Sequence, residues 1–134
     1  MKDLKASDVM ARPVVSAKPK ASARDVVLQL TTGLYSGMPV TEGGGGKVVG
    51  ITTELDLLSI VAEGKELVKT TVEEIMSRDV ETVNPNTPVI EIIQTKYDKN
   101  LLRVPVVKEG KLTGIVSRSD ILRSLIEPEF VTYM

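Results

Sequence analysis

The sequence predicts a mixed α/β (α+β) fold: two β-α-β-β-α units related by a pseudo-two-fold axis and packed through their small sheets. The first observation behind this is an internal repeat. Met10-Ala11-Arg12-Pro13-Val14 returns as Met76-Ser77-Arg78-Asp79-Val80, Pro19 as Pro85, and Met38-Pro39-Val40 as Val104-Pro105-Val106, at a constant offset of 66 positions. After Glu42-Gly43-Gly44-Gly45-Gly46 the offset falls to 64, and Gly50-Ile51-Thr52-Thr53-Glu54-Leu55-Asp56-Leu57 matches Gly114-Ile115-Val116-Ser117-Arg118-Ser119-Asp120-Ile121. Two copies are too few for a solenoid, which needs about three or more units to bury a continuous core. They suffice for two halves that share one. The second observation is that each copy spells the same order of elements. The third is composition: 134 residues, 42% hydrophobic but only 3% aromatic, fit one ordinary domain with a core of Val, Ile, Leu and Met.

In the first copy Ser7-Asp8-Val9-Met10 reads as a short helical turn and Val14-Val15-Ser16 as a short β segment. Ser22 is a good N-cap with Asp25 at the capping-box position. The helix behind it carries Val26, Val27 and Leu30 at helical spacing and ends near Gly33. Met38 to Thr41 is a strand with Pro near its start, where a missing N–H costs least. Gly43 to Gly46 make a loose hairpin loop; Lys47 is followed by Val48, so the ending of a phosphate-binding loop is missing. Lys47 to Thr52 form the return strand, and Thr53 opens a helix carrying Leu55, Leu57, Leu58, Ile60 and Val61, closed by Gly64.

Lys65 to Thr70 link the copies. Thr71-Val72-Glu73-Glu74 is a capping box for a short helix ending at Met76, and Val80 to Val83 a β segment. Thr87 caps a helix with Pro88 in its first turn, a favoured place for Pro. Leu102 to Val107 and Lys111 to Val116 form a hairpin around Glu109-Gly110, and Ser117 opens the last helix, to Leu125. The chain thus divides into a first repeat at 1–64, a linker at 65–70, a second repeat at 71–126 and a tail at 127–134. Leu55, Leu58, Ile121 and Leu122 are expected to be largely buried where the units share their core.

Composition narrows the function. With 17 basic and 18 acidic residues the net charge is −1, which gives no reason to expect nucleic-acid binding driven by bulk charge. No run approaches the ~18 apolar residues of a membrane helix, and no apolar segment follows the first residues as in a secretory signal. Cytoplasm is the default. The chain has no Cys and no His, so thiol chemistry, thiolate metal sites and the usual proton-transfer residue are missing. Binding is favoured over catalysis.

The Met-x-x-x-Val opening of each copy, the hydrophobic-Pro-Val strand, and the Gly-hydrophobic-x-Thr/Ser-x-x-Asp turn resemble the cystathionine-β-synthase domain, usually called the CBS domain, over nearly the whole chain. The resemblance implies paired domains with two clefts for adenosine-containing ligands. It implies that Asp56 and Asp120 take ribose hydroxyls and that Thr53 and Ser117 take a phosphate or ribose oxygen. The early β segments, with Ser16 and Thr82, and the strands around Pro39 and Pro105 would flank the adenine. The implied ligand is AMP, ADP, ATP, NAD or an S-adenosylmethionine-type compound, with no cofactor required and no metal. The implied role is a non-catalytic, energy-sensing regulatory module that forms a homodimer of pairs and acts on a target protein.

Physical chemistry gives the same residues a rationale of their own. Gly50 and Gly114 are expected at a strand end, where a side chain would block close approach of a ligand. The helices begun at Thr53 and Ser117 present free N–H groups and a positive dipole end, and Asp56 and Asp120 follow in the first turn. The same Thr-x-x-Asp and Ser-x-x-Asp are also capping boxes, in which the acid only satisfies backbone donors. Two copies in register behind Gly-Ile favour the ligand reading, and a ligand can displace a cap.

Three functions therefore compete: a nucleotide sensor, an interaction module of the same fold that binds no nucleotide, and an enzyme using Asp56 and Asp120. Pseudo-symmetry counts against the enzyme by placing the two acids in separate clefts. The copies also differ at the mouth, where Arg118 follows Ser117 but Glu54 follows Thr53. An Arg there adds a charge-assisted phosphate contact, so the Ser117–Arg118 cleft is expected to bind charged nucleotides more tightly. If both side chains face solvent, the difference shrinks.

Overall fold

Each copy folds around an antiparallel hairpin. In a computed structural model of the chain, residues 3–12, 15–33, 37–43, 46–96 and 103–133 are described. Strand β1 (Gly37–Glu42) pairs antiparallel with β2 (Lys47–Thr53), and β3 (Arg103–Lys108) with β4 (Lys111–Ser117). Gly37 lies opposite Thr53 and Pro39 opposite Ile51; Arg103 lies opposite Ser117 and Pro105 opposite Ile115. Both hairpins slip register just past Val40–Gly50 and Val106–Gly114, a bulge at the same place in each copy. Glu109 and Gly110 turn the second hairpin with φ of 53° and 79°, the left-handed pair of a two-residue turn that matches strand twist. Gly44, Gly45 and Leu102 lie outside the described residues.

Single bridges widen each hairpin on both sides. Ala17 runs parallel to β1, donating to the Pro39 carbonyl at 3.0 Å and accepting from Thr41 N–H at 2.9 Å. Val83 does the same beside β3, with Pro105 at 3.1 Å and Val107 at 2.8 Å. On the far side Ser77 pairs with Ile51 and Ala11 with Ile115. The early β segments are therefore one-residue bridges at Ala17 and Val83, shorter than the sequence suggests; Val14 lies outside the described residues.

The helices are α1 (Ala6–Val9), α2 (Ala23–Gly33), α3 (Glu54–Ala62), α4 (Val72–Ile75), α5 (Val89–Lys96) and α6 (Arg118–Tyr133). Among the described residues no helix is long and apolar enough to cross a membrane. The link between copies contains a 3₁₀ turn at Leu67–Lys69, and α6 continues past Leu125 to Tyr133.

In space the chain forms two compact units that cut across the sequence copies: 15–80, and 1–14 together with 81–134. Each short leading helix belongs to the unit of the other copy's body. In the first unit Val72 N–H donates to Ala21 and Ala23 N–H to Thr70, both at 2.8 Å. In the second, Ala6 N–H donates to Thr87 at 2.8 Å and Val89 N–H to Leu4 at 2.9 Å. Each of these bonds satisfies a free donor at a helix start, of α4 and α2 in the first unit and of α1 and α5 in the second. The 15–80 core gathers Val26 and Leu30 of α2, Met38 and Val40 of β1, Leu57 and Ile60 of α3, and Val72 and Met76. The other gathers Ala6, Ile92, Val104, Val106 and Val116, with Val9, Met10, Val83 and Ile121 packed against them.

One expectation fails. Leu55 is 75% exposed, Leu58 65% and Leu122 62%, while Ile121 is half-buried. Helix α3 is apolar on more than one side, and the side that turns inward is the one carrying Leu57 and Ile60. The sequence pattern did not distinguish the two faces.

Candidate functional site

Alternation along the strands sorts the expected site residues onto one face of each sheet. Ala17, Met38 and Val40 belong to the core, so Ser16, Pro39 and Thr41 share the opposite face, with Ile51 and Thr53 across from Pro39 and Gly37. Ser16 Oγ and Thr41 Oγ1 are 3.0 Å apart, and Pro39 is fully buried. In the second unit Thr82, Pro105, Val107, Ile115 and Ser117 take the corresponding places; Pro105 is fully buried and Thr82 exposed. Val107 stands where Thr41 does, so the hydroxyl pair has no counterpart there.

Each β2- or β4-type strand runs directly into a capped helix. Thr53 N–H donates to Asp56 Oδ2 at 2.9 Å, and Asp56 N–H returns to Thr53 Oγ1 at 3.4 Å. Ser117 N–H donates to Asp120 Oδ2 at 3.0 Å, Asp120 N–H returns to Ser117 Oγ at 3.2 Å, and the Ser117 hydroxyl lies 2.8 Å from the same carboxylate oxygen. Both are capping boxes. They hold a carboxylate and a helix N-terminus together at the end of the strand, able to accept from a diol and to receive an anion. A ligand would have to exchange these bonds for its own. Glu54 and Arg118 occupy the first helical position of α3 and α6, and both are exposed. Among the described residues no cluster of acidic side chains is arranged to hold a metal ion.

The family described as CBS domain matches residues 6–63 and again residues 72–127. The chain belongs to the CBS domain family. Over 98% of its length this CBS-domain chain is 33% identical to an uncharacterised protein of Methanopyrus kandleri, of which it spans 66%. Over 92% of its length it is 33% identical to the A-adding tRNA nucleotidyltransferase of Aquifex aeolicus, of which it spans 15%. It therefore covers only part of either relative. The CBS domain pair of protein MJ0100, solved in complex with 5′-methylthioadenosine and S-adenosyl-L-methionine, matches it with a TM-score of 0.82 at 28% identity, over 93% of this chain and 98% of that one.

The geometry corrects one reading of the CBS motif. A Cβ at Gly50 would come within 2.9 Å of Met76 Cγ, and one at Gly114 within 2.7 Å of Met10 Cγ, with the sulfur closer still in both cases. These glycines make room for a methionine side chain. Sequence reasoning also missed two polar partners. Arg123 Nη1 lies 3.4 Å from Asp120 Oδ1, an i,i+3 pair that helical spacing alone would have suggested. Its counterpart in the first copy is Ser59. Thr41, two residues after Pro39, holds Ser16.

Proposed function

We propose that this CBS-domain chain is a non-catalytic, cytoplasmic regulatory module that binds an adenosine-containing ligand: AMP, ADP, ATP or an S-adenosylmethionine-type compound. One observation carries this reading. Each copy sets a carboxylate, a hydroxyl and a helix N-terminus at the end of a strand, on the sheet face that also carries the early segment and the strand proline. In this reading Asp56 and Asp120 accept from the ribose hydroxyls, and Thr53, Ser117 and Arg118 receive phosphate or ribose oxygen. Ser16, Pro39, Thr82 and Pro105 line the base. The likeness to a CBS pair solved with two adenosyl compounds supports the ligand class. A swing between nucleotide forms would make the module an energy sensor for a target protein.

A second reading has its own support: both carboxylates satisfy the backbone caps of their own helices, as they would in a pure interaction module. A thermal-shift panel of adenosine compounds separates the two. A ligand that binds only the native state adds RT ln(1 + [L]/Kd), about 2.7 kcal/mol at one hundred times Kd. A flat panel removes the sensor reading.

The proposed assembly is a homodimer. Helix α3 exposes Leu58 and Val61, and α6 exposes Leu122 and Leu125 at the repeat-equivalent positions. Apolar stripes of this kind mark interaction surfaces. Light scattering of Leu58→Glu/Leu122→Glu should give a monomer if a second copy covers them.

A further inference from the structure

In each unit the strand that feeds the cap is clamped by a segment of the other sequence copy. Ile51, two residues before Thr53, exchanges both backbone hydrogen bonds with Ser77, at 3.0 and 2.9 Å. Ile115, two residues before Ser117, exchanges both with Ala11, at 2.8 and 3.2 Å. One residue further back lies the glycine at the bulge, and the volume its Cβ would fill is taken by Met76 over Gly50 and by Met10 over Gly114. Met76 is buried and Met10 half-buried. The arrangement is reciprocal: Met10 of the first copy sits on the motif of the second, and Met76 of the second on the motif of the first.

A bulge bends its strand and sharpens the local twist. The direction in which the strand leaves the bulge depends on what packs against it there. Only a few residues separate the methionine seat from Thr53–Asp56 or Ser117–Asp120. A displacement at the glycine therefore reaches the hydroxyl and carboxylate with little chain to absorb it. Binding groups must be held within about 0.5 Å of their working geometry by the residues behind them. We propose that Met10 and Met76 are positioning residues for the caps of the opposite repeat: Met10 sets Ser117–Asp120, and Met76 sets Thr53–Asp56. The consequence for ligand affinity rests on the adenosine-binding reading; the consequence for cap order does not.

The test reads both. Amide hydrogen exchange at Ser117 and Thr53 reports each cap without any ligand. Met10→Ala should speed exchange at Ser117 by roughly tenfold or more while Thr53 stays within about twofold, and Met76→Ala should do the reverse. Met10→Leu, which refills the space, should keep Ser117 protected. Gly114→Ala in the Met10→Ala background adds a methyl where the sulfur stood and should restore protection, which keeps the test open if a single variant folds poorly.

AMP titration in Asp56→Ala, which leaves the Ser117 cleft, should show Met10→Ala weakening Kd by roughly tenfold and Met76→Ala by less than about twofold. Equal loosening of both caps by either methionine variant would mean a general packing role and would overturn the proposal. So would failure of the double variant to recover. If AMP binds to neither cleft, the ligand reading fails, and the crossed exchange pattern alone decides the positioning role.

Discussion

The Thr53 cap and the Ser117 cap stand on the same hairpin, the same bulge and the same methionine-on-glycine seat, yet their surroundings differ. Around Ser117 two cations, Arg118 and Arg123, occupy positions where the first copy has Glu54 and Ser59. Asp120 is consequently held on both oxygens, by the cap through Oδ2 and by Arg123 through Oδ1. Around Thr53 the polar additions lie elsewhere: Thr41 holds Ser16, and Thr52 replaces Val116 in the core. What repeats is the backbone machinery that makes a cap at a strand end. What diverges is charge beside the cap.

The largest effect should come from the carboxylate itself. Asp120→Ala should weaken adenosine-ligand binding at the Ser117 cleft by roughly 1.5–3 kcal/mol, the cost of losing a charged hydrogen-bond partner, as read by calorimetry. Unchanged affinity would reduce Asp120 to a cap.

The buried strands differ next. Thr52 is fully buried and its Oγ1 has no hydrogen-bond partner among the described residues, whereas Val116 occupies the equivalent place at 1% exposure. Thr52→Val should stabilise the fold by about 1 kcal/mol, and Val116→Thr should destabilise it by about 1–3 kcal/mol. Denaturant midpoints check both. A destabilising Thr52→Val would reveal a partner for the hydroxyl.

Exchanging the mouth charges should matter less, because both side chains are exposed. Arg118→Glu with Glu54→Arg should move the tighter AMP site to the first copy, by about 1 kcal/mol or less. The preference should shrink with salt, since screening acts over about 8 Å at physiological ionic strength. Adenosine should discriminate less than AMP. An unaltered pair of affinities after the swap would show that both charges merely face solvent.

The smallest effect separates the leading helices. The Thr71 N–H at 2.6 Å and the Thr71 hydroxyl at 2.9 Å hold the Glu74 carboxyl below its ordinary value of 4.5. A lowered folded pKa means that the cap contributes above that ordinary value and loses its contribution as pH falls through the lowered one. Glu74→Gln should therefore be less stable than the native chain at neutral pH, with the gap closing on acidification below pH 4.5. A gap that widens in acid would contradict this sign.

Local signals made much of this legible in advance. The capping boxes at Thr53, Thr71 and Ser117, the Glu109-Gly110 turn and the strand prolines each depend on a few neighbouring residues, and the repeat doubled their weight. Three features were not legible, for reasons of distance or symmetry. The exchange of leading helices between units is non-local, and no pattern within one copy encodes it. The exposed side of α3 was hidden because Leu55 and Leu58 are as apolar as Leu57 and Ile60. The role of Gly50 and Gly114 was misread because a missing Cβ serves an incoming methionine as well as an incoming ligand.

Calorimetric titration of the native chain with AMP decides whether the two caps serve as unequal nucleotide sites. Two sites of unequal affinity are expected, the tighter one lost in Asp120→Ala and the weaker one in Asp56→Ala. Two equal sites would contradict the asymmetry, and no binding of AMP, ATP or S-adenosylmethionine at any concentration tested would contradict the sensor itself.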